Sequence, residues 1–341
     1  MDPDRISQFD GLRAFAFLSV FVHHALRVPL LWMGVDQFFV LSGFLITRNL
    51  LSLRERATVG GAFGVFYYRR VLRIIPPYYL AITAILLVGP WVADSWWYYS
   101  FLPNVRDSLY TPHKGALDTM WSIGVEEQFY LVWPLLVLVL PRRALAPTFV
   151  AVVLAAPVCR VLCMPLGINA VYRLMPCRMD LLAMGALLAF ADSHDSTWIA
   201  KHRRAFVAAA AAALAVFAAL SLGDHHFRTN ENTLLFDVVG FSLSGVFFTG
   251  ILAWVRGAQR GVILSVLRNR WLRHVGTVSY MAYLIHMLCL DVASRAGGNR
   301  YVVAAVALAL TIAASSLSWF VLEQPLLRLR HLVKAHPKRT A

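Results

Sequence analysis

Arg13 and His24 stand eleven residues apart. On an α-helix that spacing is a rise of about 16 Å and close to three full turns, so both side chains share one face. An imidazole inside an apolar run, with a guanidinium below it at the membrane boundary, suits a long ligand. Its anionic end would rest at the surface while its reactive end reaches the ring. A buried histidine satisfied by a neighbouring carbonyl would read the same way. His23 is rotated about 100° to the side and does not share the face. The second group is Glu126 and Glu127 in Trp121-Ser-Ile-Gly-Val-Glu-Glu-Gln-Phe-Tyr. Glu127 lies about 9 Å below the outer start of its helix, a depth comparable with that of His24. A carboxylate beside an imidazole fixes its tautomer and raises its basicity, which suits general base catalysis on a hydroxyl. Glu126 reads better as a structural partner for arginine, and His286, a rival base, reads better as core polar packing. The third group is Arg69, Arg70 and Arg73 in Phe66-Tyr-Tyr-Arg-Arg-Val-Leu-Arg-Ile-Ile-Pro-Pro. Arg70 and Arg73 are three apart, which on a helix places them on one face and suits a bidentate grip on phosphates. A cluster that only orients the chain in the bilayer is the alternative. Asp10 reads as an N-cap, and Asp36 as a cap or a lining residue of a substrate cleft.

These side chains must be positioned by helices in lipid. Of the 341 residues 59% are hydrophobic and 15% charged, and the mean hydropathy is +0.62, which excludes a water-soluble globular protein. A spanning helix takes about 20 apolar residues, so ten spans leave room for connections but for no sizeable extramembrane domain. Ten apolar runs are predicted as spans: Ala14 to Leu31, Val35 to Leu51, Ile74 to Val92, Trp121 to Leu140 and Ala144 to Met164, then Leu174 to Phe190, Ala205 to Leu222, Leu234 to Val255, Val275 to Val292 and Tyr301 to Leu322. The sixth contains Arg178 and Asp180 and is short enough to be re-entrant. The first has no basic leader or cleavage site and is expected to remain as a helix. The expected fold is therefore an all-α integral membrane bundle of about ten helices forming one domain, with a basic tail over 323–341. With the N-terminus inside, the cytoplasmic segments collect most of the 32 Lys and Arg, so both termini are expected in the cytoplasm. The net charge of +14 is then mostly topology signal and calls for no nucleic acid.

The outer connection from Ala93 to Met120 carries Trp96, Trp97, Tyr98 and Tyr99, followed by His113. It reads equally as an interfacial aromatic belt and as a wall for stacking sugars. The run Ala208 to Ala219 is a small-residue packing face. Cys159, Cys163, Cys177 and Cys289 show no zinc-ligand spacing, and no metal is expected.

At the same residues the chain resembles the acyltransferase family 3 membrane proteins. The matching stretches are Phe9-Asp-Gly-Leu-Arg-Ala with Arg13 and His24, Gly34-Val-Asp-Gln-Phe-Phe-Val-Leu-Ser-Gly-Phe-Leu-Ile-Thr, the Arg70 and Arg73 pair before Pro76, and Trp121 to Pro134. Val278-Ser-Tyr-Met-Ala-Tyr-Leu-Ile-His and the closing Glu323-Gln-Pro complete the set. The resemblance implies a ten-helix bundle that moves an acyl group, usually acetyl, from cytoplasmic acyl-CoA as co-substrate to a hydroxyl of a glycan or similar acceptor. It also implies that His24 is catalytic, that Arg13 accompanies it, and that Arg70 and Arg73 belong to the donor site. Glu127 is carried over as a second catalytic residue. Asp36 and Glu126 are expected, from the reading of the residues alone, as substrate-binding carboxylates. Gln37 occupies a place often apolar in the family, which alters substrate fit. The chain ends about 18 residues after Glu323, resembling the stand-alone form without a C-terminal hydrolase-like domain. The expected location is a bacterial-type inner membrane. Direct attack by the acceptor and an acyl-enzyme relay both remain open. A transporter, with buried His, Glu and Arg forming a proton or anion path, is the alternative, although the repeats and broken helices expected of one are not evident.

Overall fold

The computed structural model describes residues 6–89, 92–223, 235–258 and 260–333. Arg5, Pro90 and Trp91 of the third predicted run, Arg228, Leu234 and the basic tail beyond Val333 lie outside the described residues. Among the described residues the chain is helical and has no β-strand. The long helices are α1 (Ser7–Leu26), α2 (Gly34–Arg56), α3 (Val59–Val88), α4 (Trp121–Val139), α5 (Arg142–Cys163), α6 (Met175–His194), α7 (Arg203–Gly223), α8 (Phe241–Gly257), α9 (Arg270–Arg295) and α10 (Arg300–Ser318). Eight of them, α3 to α10, carry stretches long and apolar enough to cross a membrane. The protein is therefore an all-α integral membrane protein. α1 and α2 have the length, 20 and 23 residues, but not the same apolar density. Half of α1 and more than half of α2 is buried. Their polar side chains meet other helices instead of lipid. By contrast α5, α7 and α10 bury little of themselves and turn leucines such as Leu154, Leu162 and Leu317 outward, as helices facing acyl chains do.

Glycines set the closest helix contacts. A Cβ at Gly276 of α9 would lie 1.7 Å from the Asp10 carbonyl oxygen of α1, and one at Gly43 of α2 would lie 1.9 Å from that of Leu182 in α6. Gly185 of α6 approaches the Val40 carbonyl in the same way, at 2.0 Å. In lipid, where no solvent drives apolar surfaces together, such backbone approach is what joins helices. α1 and α9 consequently run side by side in the same direction, locked in register at Asp10 and Gly276.

Several features differ from the sequence expectation, beginning with α1, which runs Ser7–Leu26 instead of Ala14 to Leu31. α3 starts at Val59, fifteen residues before Ile74, with the Thr58 hydroxyl accepting from the Gly61 amide at 3.3 Å. Its first half, where Gly60, Gly61 and Gly64 precede the arginines, escapes a search for apolar runs, and Arg69, Arg70 and Arg73 therefore sit within the helix. Pro76 and Pro77 lie inside it too, which leaves the carbonyls of Leu72 and Arg73 without their intrahelical donors. The sixth run is longer than expected, because α6 with the short helix before it makes a 27-residue segment long and apolar enough to cross a membrane. Its charges are paired inside the protein: Arg178 bonds Asp36, and Arg160 bonds Asp180. Finally, α2 begins beside the middle of α1, since a Cβ at Gly34 would meet Ala16, Ser19 and Val20. The last turn of α1, with His24, stands roughly 6–9 Å beyond the head of α2.

Candidate functional site

The outer end of the site is two histidines. His24 Nδ1 lies 3.0 Å from His286 Nε2, and His286 Nδ1 lies 2.7 Å from the Tyr283 carbonyl. His286 is wholly enclosed, with Phe17 and Phe21 of α1 and Tyr283 of its own helix around the ring. His24 is half-buried. α1 and α9 run the same way from their contact at Asp10 and Gly276, His286 rising about 15 Å beyond Gly276 and His24 about 21 Å beyond Asp10, and the two imidazole side chains reach across the remaining difference of about one turn. His23 turns away and bonds the Val28 carbonyl at 2.9 Å.

Beneath the histidines, the Tyr283 and Ser122 hydroxyls are 2.6 Å apart, and both reach the Thr119 carbonyl. The turn bearing Thr119 is tied down by the outer connection. Arg173 donates to Asp118 at 2.9 Å and to Asp107 at 2.7 Å, while Arg106 joins Asp107 to Asp94. Burial pushes the Asp94 carboxyl up, but the bond from Arg106 and its charge outweigh this and hold it below the ordinary value. Of the aromatic residues in that connection, Tyr98 is buried, with its carbonyl accepting from Tyr78 and its hydroxyl against His113. Tyr99 packs on Tyr79, and Trp96, stacked on Trp97, is exposed. The described wall is thus largely committed to holding α3.

The inner end gathers the cations. Arg13, Arg70 and Arg73 stand near enough for each charge to act on the next. Arg70 lies over the rings of Phe66 and Tyr130, 5.6 and 5.0 Å from their centres. Glu126 accepts from Ser42 at 2.7 Å and Tyr130 at 3.1 Å within the field of Arg70 and Arg13, and Glu323 faces Arg73. Three like charges drawn from α1 and α3 repel one another, and the carboxylates of Glu126, Glu323 and Asp10 beside them offset part of that cost. Arg13 also pairs with Asp10 at 3.5 Å.

Two of the expected partnerships are not those of the structure. Glu127 does not meet His24. Ser122 of α4 sits level with Tyr283, so Glu127 lies about 7 Å inward of that level while His286 lies about one turn outward. Glu127 instead neighbours Tyr78, Tyr280 and Arg70 and, among the described residues, has no hydrogen bond or ion pair. The outer ends of α1 and α4 do not lie in matching planes, which separates the two side chains. Asp36 neither caps α2 nor opens to a cleft. It is fully buried, bonded by Arg178 and Ser244, with the Phe241 ring 3.9 Å from the Arg178 guanidinium. Glu126 is held as a structural carboxylate, and Gln37 donates to the Leu12 carbonyl at 3.1 Å. The pairing of His286 with His24 escaped the sequence reading, because its only signal is that two intramembrane histidines fall on helices running the same way.

Over residues 6–322 the sequence matches the family model described as "Acyltransferase domain". It is 34% identical over 160 residues to the putative peptidoglycan O-acetyltransferase YrhL of Bacillus subtilis, which covers 39% of the chain and 24% of that protein. It is 33% identical over 157 residues to the peptidoglycan O-acetyltransferase OatA of Listeria monocytogenes, covering 39% and 24%. With the O-acetyltransferase OatA of Staphylococcus aureus the identity is 31% over 215 residues, covering 55% and 35%. The matches thus span about a quarter to a third of the length of these relatives. No solved structure matches the chain.

Proposed function

The chain belongs to this family of acyltransferases, and from that premise we propose that it is a membrane O-acyltransferase. It takes an acyl group, acetyl in the simplest case, from acyl-CoA bound from the cytoplasm and moves it to a hydroxyl of a glycan. The observation that carries the reading is the polar column between α1, α3, α4 and α9. Clustered arginines form its inner end, and an imidazole about 16 Å farther along the same helix forms its outer end. The phosphates of the donor rest on Arg13, Arg70 and Arg73, and the pantetheine arm runs outward along α1, bringing the thioester to His24. The glycan class of the acceptor comes from the printed names of the relatives. The transport alternative has no support from the family.

In the reaction the acceptor oxygen attacks the thioester carbonyl carbon while its proton passes to His24. The carbon–sulfur bond then breaks, and the CoA thiolate takes the proton from the imidazolium, leaving an ester and a free thiol. Glu127, with its unpaired carboxylate, borders the path of the arm and does not take part in this proton transfer. Glu126 holds Tyr130 beneath Arg70.

Arg73→Ala is expected to raise the KM for acyl-CoA and leave kcat nearly unchanged, because one charge-assisted phosphate contact is lost. Its worth is about 1.5 to 3 kcal/mol, or a rise of about 10- to 150-fold. Titration of acyl-CoA against the variant in detergent checks this, and unaltered affinity would return the arginines to the role of orientation markers.

The same reading places the arginine cluster and both termini in the cytoplasm of a bacterial-type cell, with the protein in its inner membrane. Reporter fusions after Arg56, Arg143 and Arg270 are expected to report the cytoplasm and one after Arg106 the outside. If Arg56 and Arg106 report one side, the donor cannot enter where it is placed here.

A further inference from the structure

We propose that His286 is a positioning residue that sets the tautomer of His24 and so makes Nε2 of His24 the basic nitrogen. The inference rests on the reading of His24 as the base. It starts from an atom with no choice of role: the Tyr283 carbonyl oxygen can only accept, so His286 Nδ1, 2.7 Å away, carries the hydrogen. The Ala282 carbonyl lies beside the same ring. A neutral imidazole has one N–H, so His286 Nε2 is then a lone pair. The ring is neutral because it is wholly enclosed and the groups described around it, Phe17, Phe21, Tyr283 and His24, include no anion to balance a charge. His24 Nδ1, 3.0 Å from that lone pair, must therefore be the donor. The remaining nitrogen of His24, Nε2, is left unprotonated and able to take a proton from a hydroxyl.

The chain of assignments runs from backbone carbonyl to His286 to His24. It does for His24 what a buried carboxylate does for a catalytic imidazole, with one difference. The proton that arrives at Nε2 creates an imidazolium whose Nδ1–H points at a neutral ring, so the charge is shared across a hydrogen bond between two imidazoles. In serine proteases, loss of the tautomer-setting carboxylate lowers kcat by about 10⁴. A neutral acceptor stabilises the imidazolium less, and the effect of removing His286 is correspondingly smaller.

The test uses the intact chain in lipid nanodiscs with ¹⁵N-labelled histidine, the His24 signals being those absent from His24→Ala. In the wild type His24 is expected to show a protonated Nδ1 and an unprotonated Nε2. Replacement His286→Leu is expected to abolish that preference and to lower kcat about 100-fold with acetyl-CoA and peptidoglycan glycan strands. The KM for acetyl-CoA should stay the same, since the arginine end is untouched. His286→Gln, whose side-chain carbonyl accepts the same hydrogen, is expected to stay within about tenfold of wild type. A wild-type His24 carrying its proton on Nε2, or a His286→Leu protein with wild-type kcat, overturns the proposal. If His286→Leu does not fold, the tautomer of the wild-type ring decides alone. Full activity in His24→Ala removes the base itself, whereas an inactive His24→Ala with an Nε2–H His24 in the wild type removes only the role given to His286.

Discussion

His24→Ala is expected to eliminate acyl transfer in a protein that still folds and still binds acyl-CoA, while His23→Ala keeps substantial activity. The two residues are neighbours in sequence and opposites in surroundings. His24 shares the face of Arg13 and meets His286, whereas His23 points about 100° away and bonds the Val28 carbonyl closing the helix. Loss of a general base costs about 10² to 10⁴ in rate, and loss of a covalent acyl carrier would cost more. A quenched reaction with labelled acyl-CoA and no acceptor separates these routes. Label kept by the wild type and absent from His24→Ala marks a relay, and label on neither marks direct attack. Near wild-type transfer by His24→Ala would refute the assignment and make His286 the next base to test.

The second large effect falls on stability. Asp36→Ala is expected to destabilise the protein by about 3 to 5 kcal/mol, because it strands the Arg178 guanidinium in the bundle. Both side chains are fully buried, and Nε and Nη1 of Arg178 already lack hydrogen-bond partners, so no second acceptor waits to replace the carboxylate. The double replacement Asp36→Leu with Arg178→Met removes both charges and is expected to melt higher than either single variant. Thermal unfolding in detergent reads both effects. A wild-type melting temperature for Asp36→Ala would mean that Asp36 faces an open cleft after all.

The same residues also show how far the sequence could be read. An ionisable group inside an apolar run marks an interior position whatever the fold, and this singles out His24, Glu126 and Glu127 before any contact is known, whereas Asp36 reads as a cap or cleft residue and Arg178 as a sign of a weak span. What such a group touches depends on the relative heights of the helices. Those heights are set by glycines that carry no hydropathy signal: Gly276 against Asp10 brings His286 to His24, and Gly34 against Ala16 lowers the head of α2. Measuring depth from the presumed end of each helix therefore paired His24 with Glu127, which lies nearer the arginines. The start of α3 was missed for a related reason. Its first turns carry Gly60, Gly61 and Gly64, and Arg69, Arg70 and Arg73 follow before the apolar half, so only the continuity of the whole shows it to be one 30-residue helix.

The central claim is that one column of side chains binds the donor at its arginine end and transfers the acyl group at its histidine end. Its most direct test is purified protein in nanodiscs given radiolabelled acetyl-CoA and peptidoglycan glycan strands. The account predicts label in a base-labile ester on the glycan, absent when His24 is alanine and restored in the Arg73→Ala variant by raising acetyl-CoA. A folded wild-type protein that neither binds acetyl-CoA nor consumes it would contradict the account.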